Sequence, residues 1–142
     1  MKNILLSILF LSFIGSSCTK EKVVSPEMSV SATLSGANEV PAVVSSATGS
    51  VTGTFNKTTK ILSINVTYAG ITPTAWHIHK GAAGATGGVI FQLGTTFATP
   101  FAFSTAALTM EQETDLLAGN YYVNIHSAKS GSGEIRGNLI VK

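Results

Sequence analysis

From Met28 onward apolar residues recur at every second position, the period of a strand with one buried face. Val30, Ala32 and Leu34 alternate with Ser29, Ser31 and Thr33. Val51 and Phe55 share a face with Gly53 between them, while Ser50, Thr52 and Thr54 lie on the other. Residues 56–60 read as a turn, after which Leu62, Ile64, Val66 and Tyr68 alternate with Ser63, Asn65 and Thr67, so the two runs predict a hairpin buried on one side. Residues 75–79 predict a further strand and 89–93 a short buried one, joined by the Gly-rich loop 81–88. Residues 120–127 and 133–141 complete the set. One short helix is predicted near 109–118, with Thr109 as its cap, Met110, Leu116 and Leu117 as its apolar side and Gly119 as its stop. Many short strands between Gly-rich turns predict an all-β fold, an antiparallel Greek-key β-sandwich or barrel, in one domain over 28–142.

The residues ahead of that domain follow another pattern. Lys2 and Asn3 precede an apolar run over 4–14, broken only by Ser7 and Ser12, and Gly15-Ser16-Ser17 then leads to Cys18. This predicts a signal peptide over 1–17, since the run falls short of the roughly 20 residues a spanning helix needs. Cys18 is the only cysteine, which excludes an internal disulfide. Its place after small residues resembles a bacterial lipobox, although Gly15 stands where such motifs usually carry Leu. The expectation is a lipid anchor on Cys18, with 18–27, including Pro26, as a flexible tether. The membrane is then a partner through the anchor. The expected location is the bacterial cell envelope, as an outer-membrane lipoprotein facing the periplasm or the cell surface.

Charge narrows the partners. Charged residues make up 11% of the chain, and its nine Lys and Arg, less Lys2 in the leader, nearly balance seven Asp and Glu. With no basic stripe, nucleic acid is not an expected partner. No Gly-x-Ser-x-Gly elbow and no phosphate loop is present, so no residue is assigned a catalytic role.

All three histidines fall in two short segments. His77 and His79 are two apart on a predicted strand and so share a face, opposite Trp76 and Ile78. Tyr122, Asn124 and His126 likewise share a face, opposite Val123 and Ile125. If the two strands are neighbours, three imidazoles converge on the outer surface of the sheet. Such a set suits one Cu or Zn ion, with a fourth position open to water. Each free ring N–H then needs a partner, for which Asn124, Glu134 or a backbone carbonyl could serve. The competing reading gives the histidines hydrogen bonds that fix loops across the sheet. Glu134 and Arg136 also share a face, either paired with each other or aimed at neighbouring strands as part of a structural network.

Five segments carry a family resemblance: Leu34-Ser35-Gly36-Ala37-Asn38-Glu39-Val40-Pro41, Ala47-Thr48-Gly49, His77-Ile78-His79-Lys80-Gly81, Ala118-Gly119-Asn120-Tyr121-Tyr122-Val123-Asn124-Ile125-His126 and Gly133-Glu134-Ile135-Arg136-Gly137. In this order they resemble the CHRD (chordin-type) domain, which is common in exported bacterial proteins. The resemblance implies a β-sandwich and no settled biochemical activity. A fainter one, over Tyr68 to His79, is to copper–zinc superoxide dismutase, where a Gly-x-Thr turn leads into a copper-binding His-x-His; His126 and Arg136 have counterparts there too. That family's dinuclear site needs more histidines than the three present, so a true dismutase is not expected. Two readings remain: an exported, membrane-tethered, non-catalytic binding or adhesion module for an unknown protein or small-molecule ligand, and a mononuclear copper or zinc protein using His77, His79 and His126.

Overall fold

The computed structural model describes residues 26–142, so the expected signal peptide and Cys18 lie outside the described residues. In chain order the elements are β1 (Glu27–Ser35), a 3₁₀ turn (Gly36–Asn38), β2 (Thr48–Asn56), β3 (Ile61–Ala69), β4 (Pro73–Lys80), β5 (Val89–Gln92), β6 (Phe101–Ser104), α1 (Met110–Leu117), β7 (Tyr121–Ser127), β8 (Ile135–Asn138) and β9 (Ile140–Val141). The strands form one antiparallel sheet in the order β5-β4-β7-β8-β1-β2-β3-β6, with β9 also on β1. The sheet curls into a half-barrel, and the expected all-β class holds.

The β2–β3 hairpin forms as its alternation predicts. Asn56 Oδ1 accepts from the amides of Thr58 and Thr59 at 2.9 and 2.8 Å, which folds the turn, and Lys60 takes the left-handed φ of 61° that closes it. The pairing then runs unbroken from Asn56↔Ile61 to Thr48↔Ala69. This register places Val51, Phe55, Leu62, Ile64 and Val66 in the core with Trp76, Ile78, Val123 and Ile125, all at most 2% exposed. Curling brings the two ends of the sheet toward each other. Trp76 on β4 meets Phe101 on β6 at 4.5 Å between ring centroids, and Phe91 on β5 meets Phe103 on β6 at 6.4 Å.

Three local expectations change. Residues 89–93 are not a buried strand: β5 is an edge with a neighbour on one side only, Val89 is 44% exposed, and only Leu93, just past its end, is buried. The strand β6 carries no clean alternation and was not expected; β3 recruits it through Ser63↔Ser104 to Val66↔Phe101. In α1, Thr109 caps as expected, and Gln112 completes the reciprocal box by accepting from the Thr109 amide. Only Leu116 of its apolar residues is buried, because the helix touches the sheet along a single line while Met110 and Leu117 face outward. The helix is held instead by ion pairs from Lys80 to Asp115 and Glu111 and from Lys60 to Glu113.

Candidate metal centre

Strands β4 and β7 are direct neighbours, with His77 opposite Asn124, His79 opposite Tyr122 and Ala75 opposite His126. Residues facing one another across a ladder share a face, so this register gathers all three imidazoles on the side away from Trp76 and Ile78. One ring nitrogen of each histidine lies within 4.8 Å of the other two. Among the described residues this is the one group of three or more His, Cys, Asp or Glu so arranged.

That side of the sheet is not an outer surface. Tyr122, Asn124 and Arg136 on it are 2%, 3% and 1% exposed, because the segment carrying Glu39 and the loops 81–88 and 128–133 fold over it. The molecule therefore has two buried layers, one apolar and one polar, on opposite faces of β4, β7 and β8.

The hydrogen bonds around the rings fix where each lone pair points. His79 Nδ1 lies 2.9 Å from the Gly87 carbonyl and His126 Nδ1 lies 3.0 Å from the Gly131 carbonyl. A carbonyl only accepts, so both Nδ1 atoms carry the proton and both Nε2 atoms present lone pairs. His126 Nε2 is 3.1 Å from His77 Nδ1, which donates to it. Gln92, across the β4/β5 ladder from His77, hydrogen-bonds that ring as well, and its amide oxygen can accept the ring N–H when the proton sits on the other ring nitrogen. His79 Nε2 is buried and has no hydrogen-bond partner among the described residues. Tetrahedral Zn–N bonds of about 2.0–2.1 Å set donor nitrogens about 3.3 Å apart. The His77–His126 pair, at 3.1 Å, already stands near that spacing, and the ligating nitrogen of His79 lies within 4.8 Å of the other two.

His77 and His79 are biased toward the neutral form that ligates metal. Burial pushes both His77 and His79 below the ordinary value of 6.5. The neighbouring imidazoles push His77 further down, while the Gly87 carbonyl partly restores His79.

The other expected residues stand elsewhere. Asn124, Glu134 and Arg136 make no hydrogen bond to a histidine ring; backbone carbonyls and Gln92 take that part. Glu134 and Arg136 do not pair with each other. Glu134 accepts from Ser45 Oγ at 2.6 Å and from Ser127 Oγ, which hold its carboxyl below the usual range, with Lys129 4.0 Å away. The Arg136 guanidinium lies over the Tyr122 ring at 4.2 Å. Two contributors escaped the sequence reading. Gln92 has no signal in a sequence short of the strand register. Glu39 stood in plain view in the segment 34–41 but was read only as part of a pattern.

Comparison with known proteins adds one result. The model of the CHRD domain family matches residues 30–139. No curated protein and no solved structure matches the chain.

Proposed function

The chain belongs to the CHRD domain family, which supports a binding-type module, and from that premise we propose that its working site binds one copper or zinc ion through His77 Nδ1, His79 Nε2 and His126 Nε2. The observation that carries the reading is His79 Nε2, a buried lone pair in a cluster of imidazoles with no hydrogen-bond donor to fill it among the described residues. Burying an unsatisfied polar atom is costly, and a metal ion is the partner that three convergent imidazoles supply. Gly87 and Gly131 would then orient two ligands, while His77 would carry its proton on Nε2 with Nδ1 free to ligate and the Gln92 side chain accepting the ring N–H. A bound ion would keep a fourth position for water or a ligand atom.

The module is read as non-catalytic, exported and tethered to the bacterial envelope through an acylated Cys18. The apolar run over 4–14 and the unique cysteine behind three small residues support this part. Isothermal titration of the metal-free domain with Cu(II) and Zn(II) tests the site. Wild type is expected to bind one equivalent, and His126→Ala much more weakly. Equal binding by the two proteins would leave the histidines their hydrogen-bonding role alone.

A further inference from the structure

Four more buried polar atoms have no hydrogen-bond partner in the protein among the described residues: Glu39 Oε1, Asn124 Oδ1, and Arg136 Nε and Nη2. They gather at one place. Asn124 and Arg136 stand opposite each other in the β7/β8 ladder. A Cβ on Gly133 would lie 2.5 Å from both amide atoms of Asn124 and 2.8 Å from Glu39 Oε1, so these two side chains meet over the bare glycine backbone. The charge of Arg136 acts on the Glu39 carboxyl, yet the two form no salt bridge. Glu39, Asn124 and Arg136 are 7%, 3% and 1% exposed.

The unpartnered atoms of Arg136 are informative. Nε–H and Nη2–H lie along one edge of the guanidinium and point in parallel, the fork that grips two coplanar oxygens at once. We propose that Arg136, Asn124 and Glu39 form a receptor for a small planar oxyanion, a carboxylate or bicarbonate of formate-like size, held on the Arg136 fork.

Charge balance supports this. Burial pushes the Glu39 carboxyl up to about 7, against the opposing pull of Arg136. Near neutral pH a large share of Glu39 is therefore uncharged, and the buried guanidinium is only partly offset. An anion completes the balance and accepts the Glu39 O–H. The Asn124 amide, turned about its last torsion, adds an N–H. Glu39 also lines a cavity of about 410 Å³ with Thr33, Asn38, Ala83 and Asn138, so one member of the group borders open space. The receptor requires no metal and stands or falls apart from the histidine site.

The test is done on metal-free protein. Sodium formate, sodium bicarbonate and sodium chloride are titrated at equal ionic strength while the Arg136 Nε–H resonance is followed by ¹H–¹⁵N NMR. Formate or bicarbonate is expected to give a saturable shift that chloride does not. Arg136→Lys, which keeps the charge and loses the fork, is expected to abolish saturation of the remaining amide shifts around Gly133. Glu39→Gln removes the competing carboxylate and is expected to bind formate several-fold more tightly, which decides the matter should the lysine variant not fold. No saturable shift in wild type or Glu39→Gln, or one that persists in Arg136→Lys, overturns the proposal and leaves a water-bridged Glu39–Arg136 pair only.

Discussion

Tyr122 lies flat on His79, with ring planes 7° apart and centroids 4.9 Å apart, and its hydroxyl accepts from the amide of Gly87, whose carbonyl holds the same histidine. The ring of Tyr122 is covered on its other face by Arg136. Strand β7 thus braces a ligand of β4 both directly and through the loop that follows it.

Gly87 is the sensitive point of that brace. A Cβ there would come within 1.5 Å of the Lys80 carbonyl, so Gly87→Ala must displace the loop and take the Gly87 carbonyl from His79. The core is untouched by loop 81–88, so the fold is expected to survive. Metal affinity is expected to fall by about 10–100-fold, the usual cost of losing a partner that orients a ligand. Tyr122→Phe, which removes only the hydroxyl, is expected to sit at or below the low end of that range. Titration calorimetry and thermal unfolding on both variants check this, and unchanged affinity in Gly87→Ala would show that the loop does not orient His79.

The tether makes a separate prediction. Cleavage before Cys18 and acylation there are expected to give a mature N-terminus with the mass of a lipid-modified cysteine. Cys18→Ser is expected to release the protein from the membrane fraction. A serine variant as firmly membrane-bound as wild type would sink the anchor.

A contrast of neighbours on β3 tests the sheet register. Ile64 is 2% exposed and faces Gly53 on one side and Phe103 on the other, whereas Asn65 points to solvent. Ile64→Ala is expected to lose about 2–5 kcal/mol of stability through lost burial and a residual cavity. Asn65→Ala is expected to change it by no more than about 0.5 kcal/mol. Denaturant unfolding of both checks the pair, and similar losses would mean that the register is wrong.

The parts of this fold legible in the sequence are those that local chemistry decides. The β2–β3 hairpin follows from alternation and from the Asn56 turn, and α1 from the Thr109 cap. The meeting of His77, His79 and His126 was legible as a shared polar face, because period two fixes which side chains project together. What covers that face was not legible. Nothing in the alternation of β4 and β7 shows that the Glu39 segment and two loops bury it, since the first arrives from a distant part of the chain and the loops that follow β4 and β7 carry no pattern that says they fold back. Arg136 illustrates this limit: its face was predictable, but its seat over Tyr122 and its distance from Glu134 depend on long-range packing.

The two buried layers also give stability two opposed dependences on pH. His77 and His79 titrate below 6.5 in the folded state, so the unfolded chain takes up protons first on acidification. Their contribution is whole above the unfolded value of 6.5 and is lost as pH falls through the lowered folded values. Glu39 behaves in the reverse sense. Its folded value is raised from 4.5 to about 7, so the unfolded chain releases its proton first. Its contribution is whole below 4.5 and is lost as pH rises through about 7. Glu39→Gln removes the second dependence and keeps the first. The metal-free variant is therefore expected to gain stability relative to wild type as pH rises from about 5 to about 8; the histidine loss on acidification is common to both proteins, and in wild type alone Glu39 opposes it. Thermal unfolding in matched buffers at several pH values measures the difference. Curves that stay parallel across this range would show that Glu39 keeps an ordinary carboxyl in the folded protein, and that the guanidinium of Arg136 is fully offset by it.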